Sequence, residues 1–379
     1  MSSYFSSEHE LFRKSVRQFA LTELLPHQKE WEEKGDFPRS VFKRAGELGL
    51  LGVHYPEEVG GSGGDYWFEV CLVEELMRSR MNGLVMDLLV TCGIATPVIH
   101  KLGTPEQKKE FLMPAISGEK IGALGITEPS GGSDVASLKT NAKKVGGDYV
   151  INGAKTFITN GGRADFITLA VRTGGEGYKG VSLILFPTDA PGFKVGRKLK
   201  KLGNYCSNTV ELSFENCKVP AKNILGEENQ GFYYIMENFQ GERLGAALMA
   251  VAHMEIMIED AVNYASERQA FGKPLAKMQV WRHKFAERMT QVMAAKQLTY
   301  HACDLFNREE SAVREISMAK LYSCDLACQV AYDCLQIHGG YGYMEEYDIA
   351  RANRDLRLLT IGGGASEVMK EIIAKTSGL

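Results

Sequence analysis

The spacing of apolar residues changes twice along the 379-residue chain, and this change constrains the fold more than any other feature. In the first third, and again beyond residue 230, apolar side chains recur every three to four positions, which is typical of amphipathic helices. The intervening runs are short, rich in β-branched and aromatic residues, and separated by Gly, Asn and Pro, which predicts strands. We therefore predict an α+β protein with an N-terminal α-helical domain (1–118), a central β domain (119–229) and a C-terminal α-helical domain (230–379).

The helical segments carry recognisable start signals. Ser7 and Glu10 match a capping box, in which a hydroxyl and a carboxylate satisfy free N–H groups at a helix start. Thr104, Pro105 and Gln107 combine a cap, a proline at the first helical position and a box partner. In the C-terminal part, the pattern predicts long helices at Gly231 to Glu267, Val280 to Phe306 and Ser311 to Ile337, and a last one from Ser366.

The central segment predicts five strands and no helix between them. The strands are YVING (149–153), TFITNGG (156–162), DFITLAV (165–171), GVSLILF (180–186) and NTVELSF (208–214). Without crossover helices, a parallel dinucleotide-binding sheet is excluded as the interpretation of the glycine-rich segments. We predict an antiparallel β-barrel or sandwich.

Charge and cysteine usage exclude several classes of protein. A net charge of −3 gives no electrostatic footprint for nucleic acid. The eight cysteines are scattered without a C-x-x-C pair, which indicates buried thiols of a reducing compartment, and no metal site is predicted. The first residues lack the features of a secretory signal, and no uninterrupted apolar run is long enough to span a membrane. These observations predict a soluble, cytoplasmic protein without a membrane span.

Four segments carry the residue types of a binding site. They are GITEPSGGSDVAS (125–137), KTFITNGG (155–162), SERQAFGKPLAKMQ (266–279) and QIHGGYGYMEEY (336–347). Glycines let the backbone approach a ligand closely, while hydroxyls, amides, an arginine and free N–H groups suit phosphate or a heteroaromatic ring. Taken singly, each is also compatible with a turn-rich surface loop or with ordinary core packing at a strand edge.

Taken together and in this order, the motifs ITEPSGGSD, ITNGG, ER-x-x-FG, QIHGGYGY and R-x-x-R-D resemble those of the acyl-CoA dehydrogenase family. The resemblance extends from the first helix to the last. It implies an N-terminal helical domain, a central β domain and a C-terminal four-helix bundle, assembled as a homotetramer (a dimer of dimers) with FAD at subunit junctions. It also implies acyl-CoA as substrate, an electron-transfer flavoprotein as electron acceptor and a role in fatty acid β-oxidation.

The resemblance also implies a set of site residues. The flavin would lie against Leu124, Ile126, Thr127, Ser133, Phe157, Ile158 and Thr159. A neighbouring subunit would contribute the contacts to the FAD diphosphate and adenosine. These residues would be Arg268, Phe271, Gln279, Gln336, Ile337, His338, Gly339 and Gly340. Further cofactor contacts would come from Ala365, Ser366 and Glu367. The acyl-CoA thioester arm would contact Ser133, Gln240, Gly241, Glu242, Arg243, Gly363 and Gly364. Phe157 and Ala365 depart from the family pattern, since many members carry Trp and Thr at these positions.

A third departure concerns the catalytic base. Many members supply a Glu near the C-terminus, at the position that is Gly363 here in IGGGASE. Removing the weakly acidic α-proton of a thioester nevertheless requires a carboxylate with a raised pKa and polarisation of the carbonyl oxygen. In isovaleryl-CoA and long-chain relatives the Glu comes instead from the first helix of the C-terminal domain, and FQGERLGAA places Glu242 at that position.

The acidic residues allow two other interpretations. Glu242 could be an ordinary helix-surface glutamate paired with a basic neighbour, but the apolar or small residues around it favour a dry position. Glu367 is the second candidate base, although a helix N-terminus lowers the pKa of a carboxyl group. The resemblance implies that Glu242 takes the α-proton and that the β-hydrogen leaves as hydride to flavin N5, giving a trans-2-enoyl-CoA. The alternatives are a flavin oxidase or monooxygenase on the same fold, and an inactive CoA-binding protein.

Overall fold

A computed structural model describes residues 4–379. Helices form the N-terminal and C-terminal parts of this range, and a sheet lies between them. The N-terminal helices are α1 (Ser7–Phe19), α2 (Gln28–Lys34), α3 (Ser40–Glu47), α4 (Tyr66–Leu76), α5 (Asn82–Leu89), α6 (Pro97–Leu102), α7 (Pro105–Gln107) and α8 (Met113–Ile116), with π-helical turns at Ala20–Leu24, Val90–Ala95 and Lys108–Leu112. The C-terminal helices are α9 (Gly231–Glu267), α10 (Gln279–Asn307), α11 (Val313–His338), α12 (Asp348–Asp355) and α13 (Ser366–Thr376). The predicted α+β class is confirmed.

The helix starts confirm one capping prediction and correct the other. Thr104 and Gln107 form the predicted capping box, with Pro105 at the first helical position. At the first helix the box is one residue earlier: Ser6 is the cap, and the ring of His9 accepts from its backbone N–H. The prediction of Ser7 and Glu10 was wrong because a histidine nitrogen can accept the bond that the pattern reserves for a carboxylate or an amide.

The central domain is built on a mixed sheet. Its strands are β1 (Gly122–Gly125), β2 (Asn141–Val145), β3 (Asp148–Thr159), β4 (Phe166–Arg172), β5 (Val181–Pro187), β6 (Phe193–Lys198), β7 (Thr209–Pro220) and β8 (Ile224–Leu225); β9 (Gln269–Ala270) and β10 (Lys273–Pro274) form a separate hairpin. The strand order is β6-β7-β3-β2-β4-β5-β8, with β1 added on β4.

Most strand pairs are antiparallel, as predicted, but the predicted antiparallel barrel or sandwich needs two corrections. The sheet does not close, and β4 pairs in parallel with both β1 and β2. These parallel pairings need no crossover helix because the long β2–β3 hairpin fills the connection between β1 and β4. The predicted strands at 149–153 and 156–162 belong to one bulged strand, β3, which shifts register at Gly153 and again before Ile158.

Apolar packing joins the two helical domains. One buried cluster runs from α1 and α4 to α9, α10 and α11, including Val70 and Leu248. The helical run Asn82–Leu102 is long and apolar enough to cross a membrane, but 72% of its most apolar window is buried inside the protein. A helical segment that is buried to this extent is typical of a protein core.

Candidate active site

The loop 125–137 is held against β3 by a buried ion pair. Lys155 Nζ lies 2.9 Å from Glu128 Oε1 and donates to the Ile126 carbonyl at 2.9 Å. Glu128 also accepts from the N–H groups of Lys139 and Thr140. Burial would raise the pKa of Glu128, but the Lys155 charge and these hydrogen bonds hold it below its usual value, so this carboxylate is ionised. The conformation of the loop is thereby fixed from inside the protein.

The outer side of this loop and of β3 presents a surface suited to a flat ligand. Glu128 and Gly131 exchange two backbone hydrogen bonds, which closes a tight turn. Thr156 N–H donates to the Thr127 carbonyl at 2.9 Å, so β3 runs directly beside the loop. Phe157 is 66% exposed and has φ +59°, a rare conformation for an aromatic residue outside a functional site. Ile158 is buried and Thr159 is half-buried.

The structure brings together most of the predicted residues of this group. Leu124 lies in β1, one residue before the strand ends. Ile126 and Thr127 begin the loop, and Ser133 lies exposed at its far side. A Cβ atom on Gly132 would lie 3.2 Å from the Thr127 methyl carbon, so the backbone here packs closely on that side chain. Loop and strand therefore form one continuous surface.

A second group of predicted residues forms a surface cleft of about 590 Å³ in the C-terminal domain. Its lining includes Arg268, Ile337, His338, Gly339 and Gly340. It also includes Tyr264, Leu275, Trp281, Tyr341 and Met344, which the motifs had not singled out as site residues.

The chemistry of this cleft suits an anionic ligand. The ring of His338 stacks on Tyr264 with centroids 4.3 Å apart, and the Arg268 guanidinium lies 5.8 Å from the Tyr341 ring centroid. A Cβ atom on Gly339 or Gly340 would have no neighbour within 4 Å, so their backbone is accessible. A cation beside bare backbone and aromatic faces is suited to an anionic, ring-bearing ligand.

Three predicted members lie outside the lining of this cleft. Phe271, at 94% exposure and φ +50°, projects into solvent from the β9–β10 turn. Gln279 begins α10, and its Nε2 lies 3.5 Å from the His283 ring. Gln336 is exposed on the last turn of α11. All residues that line the cleft lie between 264 and 344, so none of them comes from the first group, at 124–159.

The third group surrounds Glu242, on α9. This residue is half-buried as a whole, but its Oε2 is closed off from solvent and has no hydrogen-bond partner within residues 4–379. Burial raises the pKa of Glu242 to about 7, against the opposing charges of Arg243 and Lys320. An unpaired, dry carboxyl group is costly to keep in a fold, and such groups cluster at functional sites.

Gly363 and Glu242 face the same space. A Cβ atom on Gly363, whose φ is +65°, would lie 3.6 Å from the Cγ and Oε1 atoms of Glu242. The two alternative sources of a base that the sequence suggested are thus neighbours in space, and only one of them carries a carboxylate here. The Gly363 N–H makes no hydrogen bond within residues 4–379 and is available to a ligand.

The remaining predicted residues lie around this pair. Arg243 is buried, with Nε unpaired within residues 4–379, and Gly364 lies close to it. Gln240 donates to the Met236 carbonyl, while Gly241 faces the Gly93 carbonyl. Ala365 precedes α13, Ser366 donates to Asp325 at 2.8 Å, and Glu367 is exposed in the first turn of α13. An exposed Glu367 lacks the desolvation that a base for this chemistry requires.

The Val90–Ala95 turn links the Glu242 group to the sheet. Thr91 Oγ1 donates to the Gly122 carbonyl of β1, and Asn238 of α9 donates to the Ile94 carbonyl. All three domains therefore meet beside Glu242. Sequence reasoning missed this turn and also Lys320, a buried lysine among the small and apolar residues of α11. The sequence did contain a signal for it: Lys320 lies four residues from both Ile316 and Cys324, so it falls on an otherwise apolar helix face, which indicates a buried lysine.

Comparison with known proteins shows the family. The N-terminal, middle and C-terminal domains of acyl-CoA dehydrogenase match residues 6–119, 123–217 and 229–378. The chain belongs to the acyl-CoA dehydrogenase family, a family of oxidoreductases, as the motifs predicted.

Individual relatives cover the whole chain. It is 42% identical over 374 residues to the mitochondrial long-chain specific acyl-CoA dehydrogenase of Sus scrofa, covering 98% of this chain and 86% of the relative. The crystal structure of a probable acyl-CoA dehydrogenase from Mycobacterium abscessus superposes with a TM-score of 0.97 at 44% identity, covering 99% and 100% of the two chains. A glutaryl-CoA dehydrogenase from Mycobacterium smegmatis, solved in complex with FADH2, gives 0.93 at 29% identity, with 99% and 95% coverage.

Proposed function

We propose that this protein is an FAD-dependent acyl-CoA dehydrogenase in which Glu242 removes the α-proton of the thioester and the product is a trans-2-enoyl-CoA. The observation that carries the proposal is the dry, unpaired Oε2 of Glu242 beside Gly363, whose N–H makes no hydrogen bond within residues 4–379. A carboxylate removes the proton from C2, and a backbone donor on the other side stabilises the negative charge that develops on the carbonyl oxygen.

The residues present fit FAD. The exposed Phe157 ring and the 125–137 loop offer a flat surface beside backbone amides, and the Arg268 cleft offers a cation and bare glycine backbone for a diphosphate. When bound, FAD supplies the acceptor for the hydride that leaves C3. Thr127, Ser133 and Thr159 would hold its ring system through their hydroxyls, and Arg268 with Gly339 and Gly340 would hold a diphosphate.

Because no residue of the group at 124–159 lines the Arg268 cleft, we further propose a homotetramer in which each cleft serves a neighbouring subunit. Exposed apolar side chains on α10 and α11 support a subunit contact there; they are Val280, Met289, Met293 and Tyr332. Light scattering of the purified protein should give four times the chain mass of 41.9 kDa. A monomeric, FAD-loaded protein would contradict this assembly.

We propose that electrons leave the enzyme to an electron-transfer flavoprotein and that the protein acts in β-oxidation in the cytoplasm. Eight free cysteines support a reducing compartment. The main rival, an oxidase or monooxygenase on the same scaffold, would pass electrons directly to oxygen. Rapid peroxide formation without an added acceptor would favour that rival, while flavoprotein-dependent turnover without peroxide would support the proposal.

We expect longer or branched acyl chains to be preferred over butyryl-CoA. Beside Glu242, a Cβ atom on Gly241 would have its nearest neighbours at 4.0 Å and one on Gly245 none within 4 Å, which leaves room along α9. Anaerobic mixing with butyryl-, isovaleryl-, octanoyl- and dodecanoyl-CoA should bleach the flavin absorbance, fastest with the longer or branched thioesters, while free CoA leaves the absorbance unchanged. Failure of all four to bleach a flavin-loaded protein would favour an inactive CoA-binding protein instead.

The reaction should depend on pH through Glu242. Because the ionised carboxylate is the base and burial raises its pKa to about 7, kcat/KM should rise as pH increases through about 7 and level off above it. A base with an ordinary carboxyl pKa would already be ionised at pH 6 and would give a flat profile there. Measuring kcat/KM with dodecanoyl-CoA from pH 5.5 to 9 distinguishes the two outcomes.

A further inference from the structure

Three consecutive glycines, Gly362 to Gly364, form the loop that faces Glu242. Gly363 and Gly364 have φ values of +65° and +103°, conformations that glycine adopts without strain. A run of glycines also loses more conformational entropy on ordering than any other sequence. A loop of this composition stays in one conformation only if surrounding groups hold it.

Two side chains of α11 hold this loop. Lys320 Nζ donates to the Gly364 carbonyl, and Asp325 accepts from Ser366 Oγ at 2.8 Å, just beyond the loop. Lys320 is only 1% exposed, an unusual position for a lysine. Its hydrogen bond acts within the glycine run itself, whereas the Ser366 bond acts at the start of α13.

The surroundings of Lys320 connect it to the base. The charged or titratable groups that face it are Cys324 and Asp325 on its own helix, and Glu242 and Arg243 on α9. Burial raises the pKa of Glu242, and the positive charges of Arg243 and Lys320 oppose that rise. Lys320 is thus a buried cation bonded to the glycine loop, and Gly363 of that loop lies beside Glu242.

We propose that Lys320 is a positioning residue for proton removal: its ammonium group, bonded to the Gly364 carbonyl, holds the 362–364 loop against α9 and so keeps Gly363 beside the Glu242 carboxylate. This inference rests on the proposed role of Glu242. It goes beyond that role by assigning the geometry of the site to a residue that does not contact the reacting atoms.

The test uses three substitutions in the FAD-loaded protein, with anaerobic flavin reduction by dodecanoyl-CoA followed across pH. Lys320→Met removes both the donor and the charge, Lys320→Gln keeps a donor without charge, and Lys320→Arg keeps both. Lys320→Met should lower the limiting rate by about tenfold or more, short of the roughly 10²- to 10³-fold cost of deleting an oxyanion donor outright. It should also move the pH midpoint upward by about one unit, because a nearby positive charge no longer favours the carboxylate.

The other two variants separate the donor from the charge. Lys320→Gln should show the raised midpoint with a smaller loss of limiting rate, and Lys320→Arg should restore the parent midpoint. Tyr322→Phe, at an exposed position on the same helix, is the matched control and should keep both values. If Lys320→Met fails to retain FAD, the midpoint of Lys320→Gln decides the question of charge.

An independent readout does not need turnover. Hydrogen exchange of a peptide spanning residues 358–368 should be faster in Lys320→Met than in the parent or in Tyr322→Phe. Parent-like exchange, limiting rate and pH midpoint in Lys320→Met would overturn the inference. That outcome would leave the role of Glu242 intact, whereas a fully active Glu242→Gln protein would remove the base itself.

Discussion

Glu242→Gln should retain FAD and bind acyl-CoA, yet reduce its flavin more than about 10²-fold more slowly than the parent, the usual scale of a lost general base. The amide has nearly the shape of the carboxyl group, so packing around α9 should survive. It cannot accept the C2 proton, so the loss should appear in the rate of flavin reduction rather than in substrate binding. Stopped-flow bleaching with dodecanoyl-CoA measures it directly.

The matched control is Glu237→Gln on the same helix. Glu237 is exposed and pairs with Lys101 at the surface, so its neutralisation should leave flavin reduction unchanged. A Glu242→Gln protein that reduces its flavin at the parent rate would exclude Glu242 as the base. Equal losses in both variants would point to a general effect of charge on α9 instead.

Lys155→Met should destabilise the protein by about 3–5 kcal/mol, because it leaves the buried Glu128 carboxylate without its counterion. With an unfolding entropy of roughly 2.1 cal/mol/K per residue, a chain of 379 residues loses about 1.3 °C per kcal/mol, so Tm should fall by about 4–6 °C. The 125–137 loop should loosen as well, since Lys155 also donates to the Ile126 carbonyl, so FAD content after purification should fall. Thermal melts and the ratio of flavin to protein absorbance measure both effects.

The double variant Lys155→Met with Glu128→Gln is the control for this interpretation. It removes the unpaired charge and should recover part of the lost Tm, because the uncompensated carboxylate is the largest cost. The exposed pair of Lys194 and Glu215 offers a surface comparison, and Lys194→Met should shift Tm little. A Lys155→Met protein with the parent Tm would show that the ion pair contributes nothing net to stability.

The long helices were predicted closely because their signals are local. Helices α9, α10 and α11 begin and end within about two residues of the predicted bounds, since apolar spacing is a property of neighbouring turns and Gly339 ends α11. The start of α1 was misplaced by one residue, because the His9 ring took the capping role that the pattern assigned to Glu10.

The sheet was predicted less well because its pairings are not local. Periodicity found β4 and β5 but divided β3 in two, since bulges at Gly153 and before Ile158 break the alternation. The edge strand β6 is mostly exposed and lacks an apolar pattern, so it was missed. The parallel pairing of β1 with β4 joins residues about forty positions apart, and no feature of either strand specifies that partner.

The sequence alone was sufficient to identify the long helices, the strands β3, β4, β5 and β7 and the family motifs, because residue type and spacing are local properties. The resemblance that these motifs carry named Glu242 as the candidate base. Only the tertiary structure decided that Glu242 Oε2 is dry, that Gly363 faces it, and that Lys320 of a distant helix holds the glycine loop in place. Desolvation depends on which groups surround a carboxyl from every side. Those groups come from segments far apart in the chain and meet only when the domains pack together.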